Sequence, residues 1–172
     1  MHAIFVIGHS TRTIESFIDL LKAHSINFLV DIRTIPKSRY NPQFNEDALK
    51  KKLKENKIRY FHMKGLGGLR HSDKNSINLG WHNLSFRGFA DYMQTKEFAS
   101  SLKELIALSK MHTVAIMCAE GNPFRCHRSL VADALMVRNV KALHISSKIS
   151  SHEHVLTSFA KVRGQKITYP SA

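Results

Sequence analysis

The segment from Cys118 to Ser129 holds the densest set of reactive side chains: Cys118, Glu120, Arg125, Cys126, His127 and Arg128. The apolar run Thr113–Met117 precedes it, and Leu130, Val131, Ala134 and Leu135 follow at helical spacing. A helix starting near Cys126 or His127 would turn its free N–H groups and the positive end of its dipole toward the loop. Arg125, His127 and Arg128 add donors there. Cations are disfavoured at a helix start unless an anion is present, so an anion-binding role outweighs simple solvation for Arg125 and Arg128. Gly121 is the one glycine in the loop, unlike a glycine-rich phosphate cradle. Cys126 has surroundings that lower a thiol's pKa and is a candidate nucleophile, with His127 or His9 as base. The ordinary alternative is a small buried packing residue. Arg125 falls one position too far from Cys118 for the phosphatase spacing of cysteine and arginine. A zinc site from Cys118, Cys126, His127 and His9 lacks the short hairpin spacing of structural zinc motifs. Reduced thiols are expected, with a disulfide as a minor option.

Other chemistry-bearing residues stand apart in sequence. His9, Ser10 and Thr11 follow one apolar run, and Asp31 and Arg33 end another. If Asp31 and Glu120 come together, two carboxylates could share acid and base roles or hold Mg²⁺ against a phosphate. The competing reading pairs them with Arg33 and Arg128 and leaves them to orient those arginines. The candidate catalytic set is therefore His9, Asp31, Glu120 and His127, and the candidate anion-binding set Ser10, Thr11, Arg33, Arg125 and Arg128. No metal ligand is assigned. The cofactor is left open, a divalent metal being an option without a clear motif.

A second positive region runs through Arg33, Lys37, Arg39, Lys50, Lys51, Lys52, Lys54, Lys57 and Arg59. On a helix the lysines cover the outward positions and leave Leu49 and Leu53 inward, the ordinary pattern of a solvated face. With Tyr40, Phe44 and Tyr60 nearby for stacking, Lys50, Lys51, Lys54 and Arg59 are the candidate nucleic-acid contacts. His71, Trp81 and His82, in an irregular loop over 69–85, are weaker candidates for a lid.

These residues need elements to position them. Ile4–Ile7, Phe28–Val30, Arg59–Met63, Thr113–Met117 and Ala142–Ile145 read as five strands, mostly of the continuous apolar kind buried on both faces. Helical patterns lie between them: one after Thr13 as N-cap, one after Asn45, two over Phe86–Met93 and Phe98–Ile106, and one from Leu130. A last helix is expected over His152–Val162. This alternation predicts a single α/β domain over 1–172, a mostly parallel sheet of about five strands with helices on both faces. Sites in such sheets lie outside the carboxyl ends of the strands, where four of the reactive segments fall.

Gly8-His9-Ser10-Thr11, Asp31-Ile32-Arg33, Pro36-Lys37-Ser38 with Asn41-Pro42-Gln43-Phe44, Leu66-Gly67-Gly68, and Cys118-Ala119-Glu120 with Cys126-His127-Arg128-Ser129 form an ordered set. They resemble the motifs of the domain of unknown function family numbered 488, from about Phe5 to about Ile145. The resemblance implies a compact prokaryotic α/β domain and supplies no reaction.

Composition narrows the partners. The 172 residues carry 26 Lys and Arg against 13 Asp and Glu, a net charge of +13, which points to an anionic ligand. Two cysteines exclude a disulfide-dense scaffold, and no apolar stretch reaches the roughly 20 residues of a membrane-spanning helix. The start lacks the basic region of a signal peptide, so the expected location is the cytoplasm. Two functions fit: an enzyme acting on a phosphate-bearing substrate (a nucleotide or nucleic acid) at the carboxyl edge of the sheet, or a non-catalytic module binding nucleic acid on its basic face.

Overall fold

The computed structural model describes residues 3–172. The chain runs β1 (Ala3–Gly8), α1 (Ile14–Ala23), β2 (Phe28–Asp31), α2 (Glu46–Glu55), β3 (Arg59–His62), α3 (Leu84–Tyr92), α4 (Lys96–Met111), β4 (Val114–Cys118), α5 (Arg128–Met136), β5 (Lys141–Ser147), β6 (Ser150–Glu153), β7 (Lys161–Arg163) and β8 (Lys166–Thr168). The main sheet has the order β3-β2-β4-β1-β5-β6; β7 and β8 form a separate antiparallel pair. The pairings among β3, β2, β4, β1 and β5 are parallel, and β6 alone runs antiparallel, against β5.

The sheet is buried on both faces because both kinds of position along its inner strands are apolar. Ile7, Leu29, Ala115 and Met117 pack with Phe17, Leu21, Leu49 and Leu53 of α1 and α2. On the opposite face Ile4, Val6, Val30 and Ile116 pack with Phe89, Phe98, Leu102 and Leu130 of α3, α4 and α5. Neighbouring strands β1 and β4 thus send their helices to different faces: α1 follows β1 on one side, α5 follows β4 on the other. That arrangement is a topological switch point, and it opens a crevice between the carboxyl ends of β1 and β4. The two chains stay paired past the sheet, with His9 N donating to Cys118 O and Ser10 N to Ala119 O, both at 2.9 Å.

Local signals agree with most of the expected elements. Thr13 caps α1 by accepting from Ser16 N. Asn45 occupies the N-cap of α2, but its side chain accepts from Ser38 N at 2.7 Å instead of from the helix. The expected helix over His152–Val162 is absent. Ser150–Glu153 pairs with β5, and the chain beyond it is held by side chains: Asp133 accepts from Thr157 N at 3.1 Å and from Thr157 Oγ1 at 2.7 Å. Val155, inside the expected helix, is 79% exposed. The main sheet accordingly has a sixth strand, and the β7–β8 pair, turning at Gly164 with φ +62°, adds a hairpin that the sequence reading did not include. Among the described residues no helix is long and apolar enough to cross a membrane.

Candidate functional site

At the switch point the close approach of three segments depends on Gly8. A Cβ there would lie 1.9 Å from the Glu120 carbonyl oxygen and 3.0 Å from Arg128 Nη1. The missing side chain lets the Arg128 guanidinium lie against the end of β1 while its Nη2 donates to Glu120 O. Arg128 is 1% exposed, and burial pulls its pKa down to about 10. Its Nε has no partner, and among the described residues no carboxylate forms an ion pair with it.

His9, also 1% exposed, stacks on Phe44 with ring centroids 4.2 Å apart. Its Nδ1 lies 2.8 Å from Ser10 O, which can only accept, so the proton sits on Nδ1 and Nε2 carries a lone pair. That Nε2 is buried without a partner. Burial, opposed by the Ser10 bond, lowers the His9 pKa and keeps the ring neutral near pH 7. Ser10 adopts φ +50°, a conformation uncommon for a residue with a side chain. Thr11 is exposed.

Asp31 is fully buried and committed. Its oxygens accept from Arg33 Nε at 2.9 Å, Arg33 Nη2 at 2.7 Å and Tyr60 OH at 2.5 Å. Burial and the Asp31 charge push the Tyr60 pKa strongly upward. Arg33 Nη2 also donates to Phe44 O at 2.8 Å, whereas Nη1 is left without a partner. Asp31 is therefore an orienting group for Arg33. Glu120 is exposed, and its carboxylate accepts from Asn122 N at 3.1 Å. The two carboxylates do not form a pair, and Arg128 takes the Glu120 backbone oxygen rather than its side chain.

His127 adopts the opposite tautomer to His9. Its Nε2 donates to Ile32 O at 3.0 Å, leaving Nδ1 3.5 Å from Cys126 Sγ. Burial lowers its pKa to about 4. Gly68 makes room for the ring, since a Cβ there would meet His127 Nδ1 at 2.6 Å. Cys126 Sγ also accepts from Arg128 N, at the start of α5, at 3.5 Å. The sulfurs of Cys118 and Cys126 are in direct contact, so the cysteines are a pair, where the sequence reading expected reduced thiols with a disulfide as a minor option. They are brought together because β4 ends and α5 begins at the same corner.

A cleft of about 340 Å³ lies over this corner. Arg33, Lys37, Glu120, Arg125, Cys118, Cys126 and His127 line it, with Ile35, Leu69 and Phe86 supplying apolar wall. His9, Asp31 and Arg128 do not line it. They are buried around it, with Asp31 and Arg128 both close enough to act electrostatically on His9. Among the described residues no group of three or more His, Cys, Asp or Glu is placed to hold a metal ion.

The lysine face lies elsewhere. Lys50, Lys51 and Lys54 are exposed on α2, where Lys52 pairs with Glu55 at 3.5 Å, and Arg59 opens β3 at the amino edge, away from the cleft. Of the aromatics expected to stack beside it, Phe44 is buried under His9 and Tyr60 is bound to Asp31; Tyr40 is 84% exposed. Trp81 is not a lid residue, because it packs against Phe86, Phe159 and Tyr169. The sequence reading placed Phe44 and Lys37 with the basic face and gave them no part in the strand-end site, although both fall within the Pro36–Phe44 motifs.

Fold and site define the chain as an α/β protein with a basic crevice at the switch point of a parallel sheet. It matches the family model described as a domain of unknown function, DUF488, over residues 13–135, and it belongs to that family. No curated protein and no solved structure matches the chain.

Proposed function

We propose that the cleft binds a phosphate-bearing substrate, a nucleotide or a nucleic-acid end, and that the protein is an enzyme acting on it. One observation carries this reading: Arg33 Nη1, Arg128 Nε and His9 Nε2 are buried at one edge of the sheet without partners. Leaving such a group unpaired costs about 1–3 kcal/mol, more where the group is charged. A buried guanidinium with no ion-pair partner is stabilised by a bound anion. The walls suit a nucleotide, with Arg33, Lys37 and Arg125 available to phosphate and Ile35, Leu69 and Phe86 to a base. His9 lies behind the cleft wall, with its Nδ1 fixed on Ser10 and its neutral Nε2 free, and acts as proton acceptor in this scheme for a substrate that reaches into the crevice between β1 and β4. His127 and Asp31 position their neighbours.

Calorimetric titration with inorganic phosphate and with a nucleoside monophosphate tests the binding step. The nucleotide should bind more tightly than phosphate. Arg125→Ala, at an exposed position, should weaken both by about 1.5–3 kcal/mol, the worth of a hydrogen bond to a charged group. No binding of either at millimolar concentration, or affinities unchanged in both Arg125→Ala and Lys37→Ala, sinks the reading. A second reading, nucleic-acid binding on α2, rests on the exposed lysines 50, 51 and 54.

A further inference from the structure

We propose that Cys126 and Cys118 form a reactive dithiol that exchanges two electrons with a low-molecular-weight disulfide entering the cleft. The inference goes beyond anion binding and does not depend on it. Its basis is the asymmetry of the two sulfurs. Cys126 Sγ accepts the N–H of Arg128 at the first turn of α5 and lies 3.5 Å from the lone pair of His127 Nδ1. Arg125 and Arg128 flank it in the chain. A backbone donor and a helix N-terminus both favour the thiolate, the form that attacks. Cys118 has none of these. Its sulfur, at the end of β4, is 4.0 Å from the Glu120 carbonyl oxygen, an acceptor that favours the protonated thiol. Both cysteines line the cleft, and their sulfurs touch. A small packing cysteine requires neither a base beside it nor a second thiol in contact.

The chemistry balances. The Cys126 thiol ionises to water in the cleft, since His127 is held neutral, and the thiolate beside Arg128 N attacks one sulfur of RSSR. An S–S bond forms between Cys126 and R–S, and the first RS⁻ leaves and takes a proton from water as RSH. Cys118 then attacks Cys126 Sγ, its proton passing to the second RS⁻. The protein disulfide forms and the second RS⁻ leaves as RSH. In sum, two thiols are oxidised and one RSSR is reduced to two RSH. The bond closes the loop 119–125, which carries Arg125 and the Glu120 oxygen that holds Arg128.

The full-length protein, freshly reduced, is exposed to oxidised glutathione without phosphate, then alkylated and weighed by mass spectrometry. The wild type should lose two hydrogens and both alkylation sites and retain no glutathione. Cys118→Ser should accumulate glutathione on Cys126, since nothing resolves the adduct, and Cys126→Ser should react at least tenfold more slowly. Reduced Cys126 should alkylate with a pH midpoint well below the value of about 8.5 for a free thiol. A wild type that keeps two free thiols, or a Cys126 midpoint near that of a free thiol, overturns the proposal. Both readings come from the wild type and hold even if a variant fails to fold.

Discussion

At one edge a guanidinium stays charged against burial and two imidazoles are kept neutral by it, and the hydrogen bonds around them decide how. Arg128 keeps its charge although burial lowers its pKa to about 10, because Glu120 O takes one donor and Gly8 leaves space for another. His9 and His127 are neutral by the same desolvation, but Ser10 O fixes one tautomer and Ile32 O the other. This has a consequence for stability. The ordinary pKa of histidine is about 6.5, and that of folded His127 is about 4, so between these values the unfolded chain binds more protons. The stability contributed by neutral His127 is complete above pH 6.5, declines as pH falls, and is fully lost below about pH 4. His144 is lowered to about 4 by burial, so it adds a loss in the same window. His127→Gln, which keeps an N–H for Ile32 O, should flatten the fall in denaturant-derived stability between pH 6.5 and 4 by on the order of 3 kcal/mol. A slope identical to wild type would show that His127 is not held neutral by the fold.

Among the elements, α5 serves two networks at once. Its first turn presents Arg128 N to the Cys126 sulfur, and its middle buries Asp133, which the C-terminal segment surrounds. Asp133 accepts from His154 Nε2, from Thr157 and from Tyr169 OH, each of the side-chain bonds at 2.7 Å. His144 continues the chain, 2.8 Å from His154 Nδ1. Asp133→Asn should cost about 2–4 kcal/mol, because hydrogen bonds to a buried charge are worth more than neutral ones. It should also raise amide exchange across residues 150–170. Unchanged exchange there would mean that the tail is held by packing of Phe159 and Tyr169 instead. The same network explains what could be read from the sequence. Strands β1, β2 and β4 were legible because each is a continuous apolar run, and α1 because Thr13 caps an amphipathic pattern. The segment after β5 misled because Val155, Leu156, Phe159 and Ala160 imitate a helical stripe, while the contacts that fix it come from Asp133, distant in sequence. At the site the strand-end rule found His9, Arg33 and Arg128. The sequence offered the Asp31–Arg33 pairing as one of two readings, and it could not tell that Tyr60 joins that pair or that Cys118 touches Cys126, since both depend on how two chain segments meet.

For the whole molecule, the question is whether an excess of positive charge acts as a general field or through a local surface. A net charge of +13 attracts any polyanion, and counterion release makes such binding weaken steeply with salt. If α2 is the contact surface, Lys50→Glu/Lys51→Glu/Lys54→Glu should lower the affinity for single-stranded DNA at least tenfold at low salt. It should also reduce the slope of log K against log salt by about 2, the share of three phosphate contacts on a single strand. The control carries the same change in charge at another place: Lys161→Glu/Arg163→Glu/Lys166→Glu on the exposed β7–β8 hairpin. A field effect would weaken binding equally in both triple variants, whereas a contact surface on α2 makes the first variant much the weaker binder. If neither triple variant changes the affinity but Arg125→Ala does, the strand is held in the cleft, and α2 is a solvated face. Absence of binding even at low salt removes nucleic acid as a partner and leaves a small phosphate-bearing ligand as the substrate to test. The cleft reading predicts the third pattern for a strand bound by its end, because Arg33 and Arg125 line the cleft whereas Arg59 and the α2 lysines do not.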